Sequence, residues 1–185
     1  DYPVKGIQFR DITSLLQNSK HFSKVIDQMT DPWKNESIDA ILSIESRGFI
    51  MAGAIAYNLN TAFVPLRKPD KLPGETYKVN YTLEYGVTEM HIHTDALDDL
   101  TNVLIIDDIF TTGNSIQKTL DVINKNSGII DNVLVLINRM ENTDDFLIQN
   151  DIKLNYVFSI IDFANILYDK SLITSTQKEI LLSQF

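Results

Sequence analysis

The segment VLIIDDIFTTGNS, from Val103 to Ser115, combines the residue types needed to hold a sugar phosphate. An apolar run ends in two adjacent carboxylates, Asp107 and Asp108. A turn of small residues follows: Thr111, Thr112, Gly113, Asn114 and Ser115. Carboxylates accept hydrogen bonds from ribose hydroxyls or orient water, metal or loop backbone. Amides at a helix start attract phosphate. Gly113 permits a tight turn and the close approach of an anion, and Thr111, Thr112 and Ser115 add hydroxyl donors. Neighbouring residues of a strand point to opposite faces, so Asp107 and Asp108 are expected to do different work.

A net charge of −9 sits badly with a phosphate-rich ligand unless cations are focused locally or a divalent ion helps. Two segments supply such cations. Arg47, in IESRGF, precedes a helical pattern and suits bidentate phosphate contact. Arg67, Lys68 and Lys71, in VPLRKPDKLPG, form a basic cluster. The overall acidity argues against general nucleic-acid binding. No apolar run approaches a membrane span, and DYPVKGIQFRD has no basic start followed by an apolar stretch, so neither a membrane segment nor a signal peptide is expected. The absence of cysteine excludes disulfides and thiol nucleophiles and favours a reducing cytoplasm.

The elements that must position these residues follow from the apolar pattern. Ala40–Ile44, Ala62–Leu66, Val103–Ile106, Val133–Ile137 and Tyr156–Ile160 read as buried, β-branched-rich strands. His21–Thr30, Phe49–Leu59 and Ser115–Asn126 show helical spacing of apolar residues. The alternation predicts one α/β domain over residues 1–185, with a mostly parallel central sheet flanked by helices. Ligands bind beyond the carboxyl ends of such strands, where Asp107 and Asp108 are expected. Lys68–Thr94 breaks the pattern with Pro69, Pro73, Gly74 and Gly86, and predicts a loop plus a strand pair of the kind that often serves as a lid. Ser171–Phe185 reads as a terminal amphipathic helix. His91 and His93 share one face of a strand but lack a nearby third metal ligand, so ordinary strand positions are expected. Asp98 and Asp99 are expected in a solvated turn, and Trp33, beside Pro32, in packing at a helix end.

From about Val4 to Asn138 the chain resembles the adenine phosphoribosyltransferase family of type I phosphoribosyltransferases. VLIIDDIFTTGNS is similar to the family's donor-binding motif, with Asn114 where a second glycine is usual. Asparagine tolerates left-handed backbone, so the loop is expected to keep its form. IESRGFIMAGAIA resembles the diphosphate loop, which implies a non-proline cis peptide near Glu45–Arg47 and anion-binding amides from Gly48 onward. VPLRKPDKLPGETYKVNYTLEYG resembles a strand end, a mobile catalytic loop and a return strand, with residues 68–86 expected as mobile loop and strand pair and Lys68–Tyr81 as the closing lid. GIQFRDIT resembles a base-binding hood, placed here at residues 1–15, with Gln8 where many relatives carry an apolar residue.

The resemblance implies a type I phosphoribosyltransferase fold with a small N-terminal hood. It implies transfer of phosphoribosyl from 5-phosphoribosyl 1-diphosphate to adenine, giving AMP and diphosphate, in purine salvage. Phe9 would stack on the base, with backbone around Gln8 and Arg10 reading its edge. Glu84 would be the acid/base group, with Tyr85 beside it. Arg47, Arg67, Lys68, Lys71 and Mg²⁺ would balance the diphosphate charge. Asp107 and Asp108 would hold the ribose, and could touch the ion through water. Thr111–Ser115 would fix the 5-phosphate. A cytoplasmic homodimer is also implied. Two alternatives stay open: another purine acceptor (guanine, hypoxanthine or xanthine), or a non-catalytic regulator that senses phosphoribosyl diphosphate.

Overall fold

A strand-and-helix alternation begins after a helical lead-in, and the computed structural model describes residues 12–83, 86–98, 102–111, 113–125, 128–139 and 145–183. In chain order the elements are α1 (Thr13–Leu16), α2 (Ser19–Thr30), a 3-10 turn (Asp31–Trp33), β1 (Ala40–Ile44), α3 (Gly48–Leu59) and β2 (Ala62–Leu66). Then come β3 (Thr76–Leu83), β4 (Gly86–His93), β5 (Asn102–Phe110), α4 (Asn114–Lys125), β6 (Ile129–Asn138), α5 (Asp145–Gln149), β7 (Lys153–Ser159), α6 (Ile160–Asp169) and α7 (Ser175–Leu182).

Five strands form a parallel sheet in the order β2-β1-β5-β6-β7. The chain builds outward from β1 to β2, then returns to lay β5 on the other side of β1. The order therefore reverses between β1 and β5, and their carboxyl ends border the crevice where open α/β sheets bind ligands. The register sharpens this. The last β1–β5 pair is Ser43 with Ile106, yet β5 runs on to Phe110, paired only with β6. Asp107 to Phe110 thus form a one-sided shelf at the switch point.

Both faces of the sheet are covered, which explains the continuous apolar strands. Leu42, Val103, Ile105, Val133 and Val135 pack with Ile116, Leu120 and Ile123 of α4 and with Met90 and Ile92 of β4. Ile41, Leu104, Ile106 and Leu134 pack with Val25, Ile26 and Met29 of α2 and Met51 and Ile55 of α3. Trp33 is buried with this second group, as expected of a helix-end packing residue. Asn18 starts α2 by accepting the His21 N–H at 3.1 Å.

The region after β2 is a loop followed by the antiparallel pair β3–β4, in register from Thr76–His93 to Leu83–Gly86. It is tied to the end of β2 by backbone bonds: Arg67 N–H donates to the His91 carbonyl at 2.8 Å and His91 N–H to the Arg67 carbonyl at 2.6 Å. His91 is buried, with Nε2 3.3 Å from Glu89 and Nδ1 3.4 Å from Thr76 Oγ1. Among the described residues no group of three or more His, Asp or Glu could hold a metal. Nor, among them, is any helix long and apolar enough to cross a membrane. Asp98 lies exposed in a turn, and Asp99 is outside the described residues.

Three expectations need correction. The last strand is Lys153–Ser159, not Tyr156–Ile160, because Ser159 caps α6 and turns Ile160 into its first helical residue. The short helices α1, α5 and α6 are additions to the expected set. The terminal helix spans only Ser175–Leu182 and buries none of its residues, so it has no core-facing stripe.

Candidate active site

The crevice is lined from three directions. β5 brings Asp107 and Asp108. The turn after β1 brings Glu45 to Gly48. The turn into α4 brings Thr111, Gly113, Asn114 and Ser115. Asp107, Ile109, Thr111, Gly113, Asn114 and Ser115 border a small cleft of about 50 Å³.

The two carboxylates do have different partners. Asp108 is buried, and its Oδ2 lies 2.8 Å from Nε of Arg47. Asp107 faces the cleft, and its Oδ1 accepts the Asp108 N–H at 2.8 Å. Burial, and next the neighbouring Asp108 carboxylate, push the Asp107 carboxyl well above its ordinary range. A proton, a hydrogen-bond donor or a cation would relieve that carboxyl.

Helix α3 starts close to these acids because residue 48 is glycine. A Cβ there would press on Ser43 Oγ and lie 3.1 Å from Asp107 Oδ1. The peptide between Glu45 and Ser46 is cis, within the Glu45–Arg47 span expected from the resemblance. Arg47, expected to contact diphosphate, is paired with Asp108 across the crevice.

Gly113 takes φ +68, which explains its glycine directly. It also lies against an aromatic platform. A Cβ at Gly113 would be 2.5 Å from Phe146 and 2.8 Å from Phe110, whose rings stack with centroids 6.4 Å apart. The next residue, Asn114, is not among the positive-φ residues and opens α4 instead. The turn therefore does not use the left-handed tolerance expected of asparagine at this position. Ser115 is half-buried, and its carbonyl accepts the Thr119 hydroxyl at 2.8 Å.

Arg67 is half-buried at the end of β2, while Lys68 and Lys71 are exposed. Arg67 Nη1 donates to the Lys71 carbonyl at 3.1 Å. Glu45 accepts the Lys68 N–H at 3.0 Å and lies 3.4 Å from Arg67 Nε. The structure thus joins Arg67, Lys68 and Lys71 to the Arg47 turn. Gln8, Phe9, Arg10, Glu84, Tyr85 and Thr112 lie outside the described residues.

Sequence reasoning missed Glu45 and Phe146. Glu45 stands inside the IESRGF run, but its partners Arg67 and Lys68 lie far along the chain. Phe146 lies beyond the stretch of resemblance and carries no local signal.

Residues 8–146 match the phosphoribosyl transferase domain. The chain is 47% identical over 128 residues to an adenine phosphoribosyltransferase of Chloroflexus aurantiacus, covering 69% of this chain and 74% of that protein. It is 45% identical over 140 residues to one of Prosthecochloris aestuarii, covering 75% and 79%. Among solved structures, adenine phosphoribosyltransferase from Rhodothermus marinus superposes with a TM-score of 0.78 at 33% identity, over 86% of this chain and 90% of that one. The Giardia lamblia enzyme complexed with 9-deazaadenine gives 0.77 at 28% identity, over the same 86% and 90%.

Proposed function

The chain belongs to the phosphoribosyl transferase family, and from that premise we propose that its crevice transfers phosphoribosyl from 5-phosphoribosyl 1-diphosphate to adenine. The products are AMP and diphosphate, and the enzyme is a purine-salvage glycosyltransferase. One observation carries the reading. The Asp107–Asp108 pair, the Gly113 turn and the Arg47 turn meet at the β1–β5 switch point. Adenine as acceptor is supported by the names of relatives at 47% and 45% identity and by the 9-deazaadenine complex of the Giardia enzyme.

In this mechanism the Thr111–Ser115 turn grips the 5-phosphate through helix-start amides and hydroxyls. Binding energy from this remote group positions the reacting carbon. Asp107 and Asp108 accept hydrogen bonds from the ribose hydroxyls as the sugar passes through an oxocarbenium-like state. Arg47 exchanges Asp108 for the diphosphate, with Arg67, Lys68 and Lys71 adding positive charge. Glu84, with Tyr85 beside it, takes the proton from the purine nitrogen, and Phe9 stacks on the base, with Gln8 and Arg10 at its edge. The lid over residues 68–81 closes on the reacting centre and excludes water.

Mg²⁺ fits the donor set, because carboxylate oxygens suit a hard cation and the Asp107 carboxyl faces the cleft. Asp107 and Asp108 would hold it through water, and it would neutralise charge on the leaving diphosphate. We place the reaction in the cytoplasm, consistent with a chain that has no cysteine. We also take the enzyme to be a homodimer. Ile50, Tyr57 and Phe63 leave large apolar area exposed on α3 and the edge strand β2, where Phe49 and Phe63 meet edge to face.

The direct test is AMP formation from adenine, phosphoribosyl diphosphate and Mg²⁺, with guanine, hypoxanthine and xanthine as controls. AMP should form, and only with Mg²⁺ present. Glu84→Gln should lower kcat by about 10²–10⁴, the usual worth of a positioned acid or base, while donor affinity stays close to wild type. Unchanged turnover would remove Glu84 from the mechanism.

A further inference from the structure

We propose that Glu45 is a positioning residue for the diphosphate end of the donor: it locks the Arg47 turn to the root of the 68–86 loop and sets the direction of the Arg67 guanidinium. The contacts are its own. The Glu45 N–H donates to the Leu66 carbonyl at 2.9 Å. Its carboxylate accepts the Lys68 N–H at 3.0 Å and lies 3.4 Å from Arg67 Nε. Arg67 then reaches the Lys71 carbonyl at 3.1 Å. One residue therefore grips the end of β2, the first loop amide beyond it and the cation between them.

Charge makes this placement informative. A carboxylate beside a site for a highly charged anion repels the ligand, so it lowers affinity unless it supplies something larger. Its side chain is 15% exposed, so it stands at the edge of the crevice rather than out in solvent. The Lys68 N–H, and more weakly the Arg67 charge, hold the Glu45 carboxyl below its ordinary range despite burial, so it is ionised at neutral pH. What it supplies is orientation. A guanidinium held by two anchors loses less freedom on meeting a ligand than one that swings in solvent. Glu45 acts through Arg67 and touches no reacting atom. The inference rests on the reading above that Arg67 faces the diphosphate.

Glu45→Gln keeps an acceptor for the Lys68 N–H but removes the charge that holds Arg67. Glu45→Asp keeps the charge with a shorter reach. Each should be assayed for AMP formation, and each titrated with inorganic diphosphate and Mg²⁺ by calorimetry, alongside Arg67→Ala and the Glu45→Gln/Arg67→Ala double variant. Glu45→Gln should raise the donor KM and the diphosphate Kd about tenfold, a loss of about 1.4 kcal/mol. The adenine KM should not move, and kcat should change less than the donor KM. Glu45→Asp should recover part of the loss. On the Arg67→Ala background Glu45→Gln should have no further effect. Tighter diphosphate binding by Glu45→Gln would show a charge brake instead and overturn the proposal, as would unchanged binding or additive losses. The diphosphate titration needs no acceptor. A wild type that makes no AMP would thus defeat the proposed reaction, while the titration would still decide Glu45.

Discussion

Gly113 carries two demands in one residue. Its φ of +68 is costly for any side chain, and a Cβ would meet the Phe110 and Phe146 rings. Left-handed backbone alone costs an alanine about 1–2 kcal/mol. Gly113→Ala should lower stability by at least that much, read as the denaturant midpoint, and weaken donor binding about tenfold or more by titration. A variant with wild-type donor affinity would show that the turn does not hold the 5-phosphate. The need for this glycine was legible in the sequence, because strand, acids and turn are contiguous and each limits the next. The platform beneath it was not. Phe146 is separated from Gly113 by the whole of β6, and nothing in DFLIQ announces that its aromatic ring packs under a turn. Glu45 was hidden for a related reason: its partners, Arg67 and Lys68, are distant in sequence, and only the β1–β2 pairing brings them together.

At the scale of elements, the apolar runs located all five sheet strands, since burial on both faces leaves little else for such runs to be. Their ends were less legible. The β5 run ends at Ile106 by hydrophobicity, but backbone pairing with β6 carries the strand through both acids to Phe110. Ile160 looked like a strand end because the apolar run continues through it, yet a capping box decides otherwise. The Ser159 hydroxyl accepts the Asp162 N–H at 3.0 Å, and the Ser159 N–H donates to the Asp162 carboxylate at 3.0 Å. Loss of such a cap typically costs about 1 kcal/mol, so Ser159→Ala should lower the unfolding free energy by that amount at neutral pH, read from the midpoint and slope of urea unfolding. The Ser159 hydroxyl, and then its N–H, hold the Asp162 carboxyl below its ordinary range. A lowered carboxyl stabilises the fold above its unfolded pKa of about 3.9, and that help is lost as pH falls through the folded value. The gap between wild type and Ser159→Ala should therefore shrink in acid. A gap that widens below pH 4 would contradict the cap.

For the whole molecule, the matched family ends at residue 146, so β7, α6 and α7 continue past it. At the opposite edge of the sheet, Tyr57 is 85% exposed and Phe63 36% exposed. Phe63→Asp should convert the proposed dimer to monomer by light scattering, and a monomeric wild type would remove the dimer outright. Net charge looked like an obstacle in the sequence, where 25 acids face 16 bases. The folded crevice answers it by gathering Arg47 and Arg67 at one end of the sheet. The two arginines differ in what a ligand asks of them. Glu45 braces Arg67 and stays with it in the proposed reading, whereas Arg47 must let go of Asp108, which sits 2.8 Å away. In that reading an anion binding at Arg47 competes with a carboxylate already in place, so a singly charged ion gains little from the exchange, while a diphosphate accompanied by a divalent cation would supply a partner for Arg47 and another for the released Asp108.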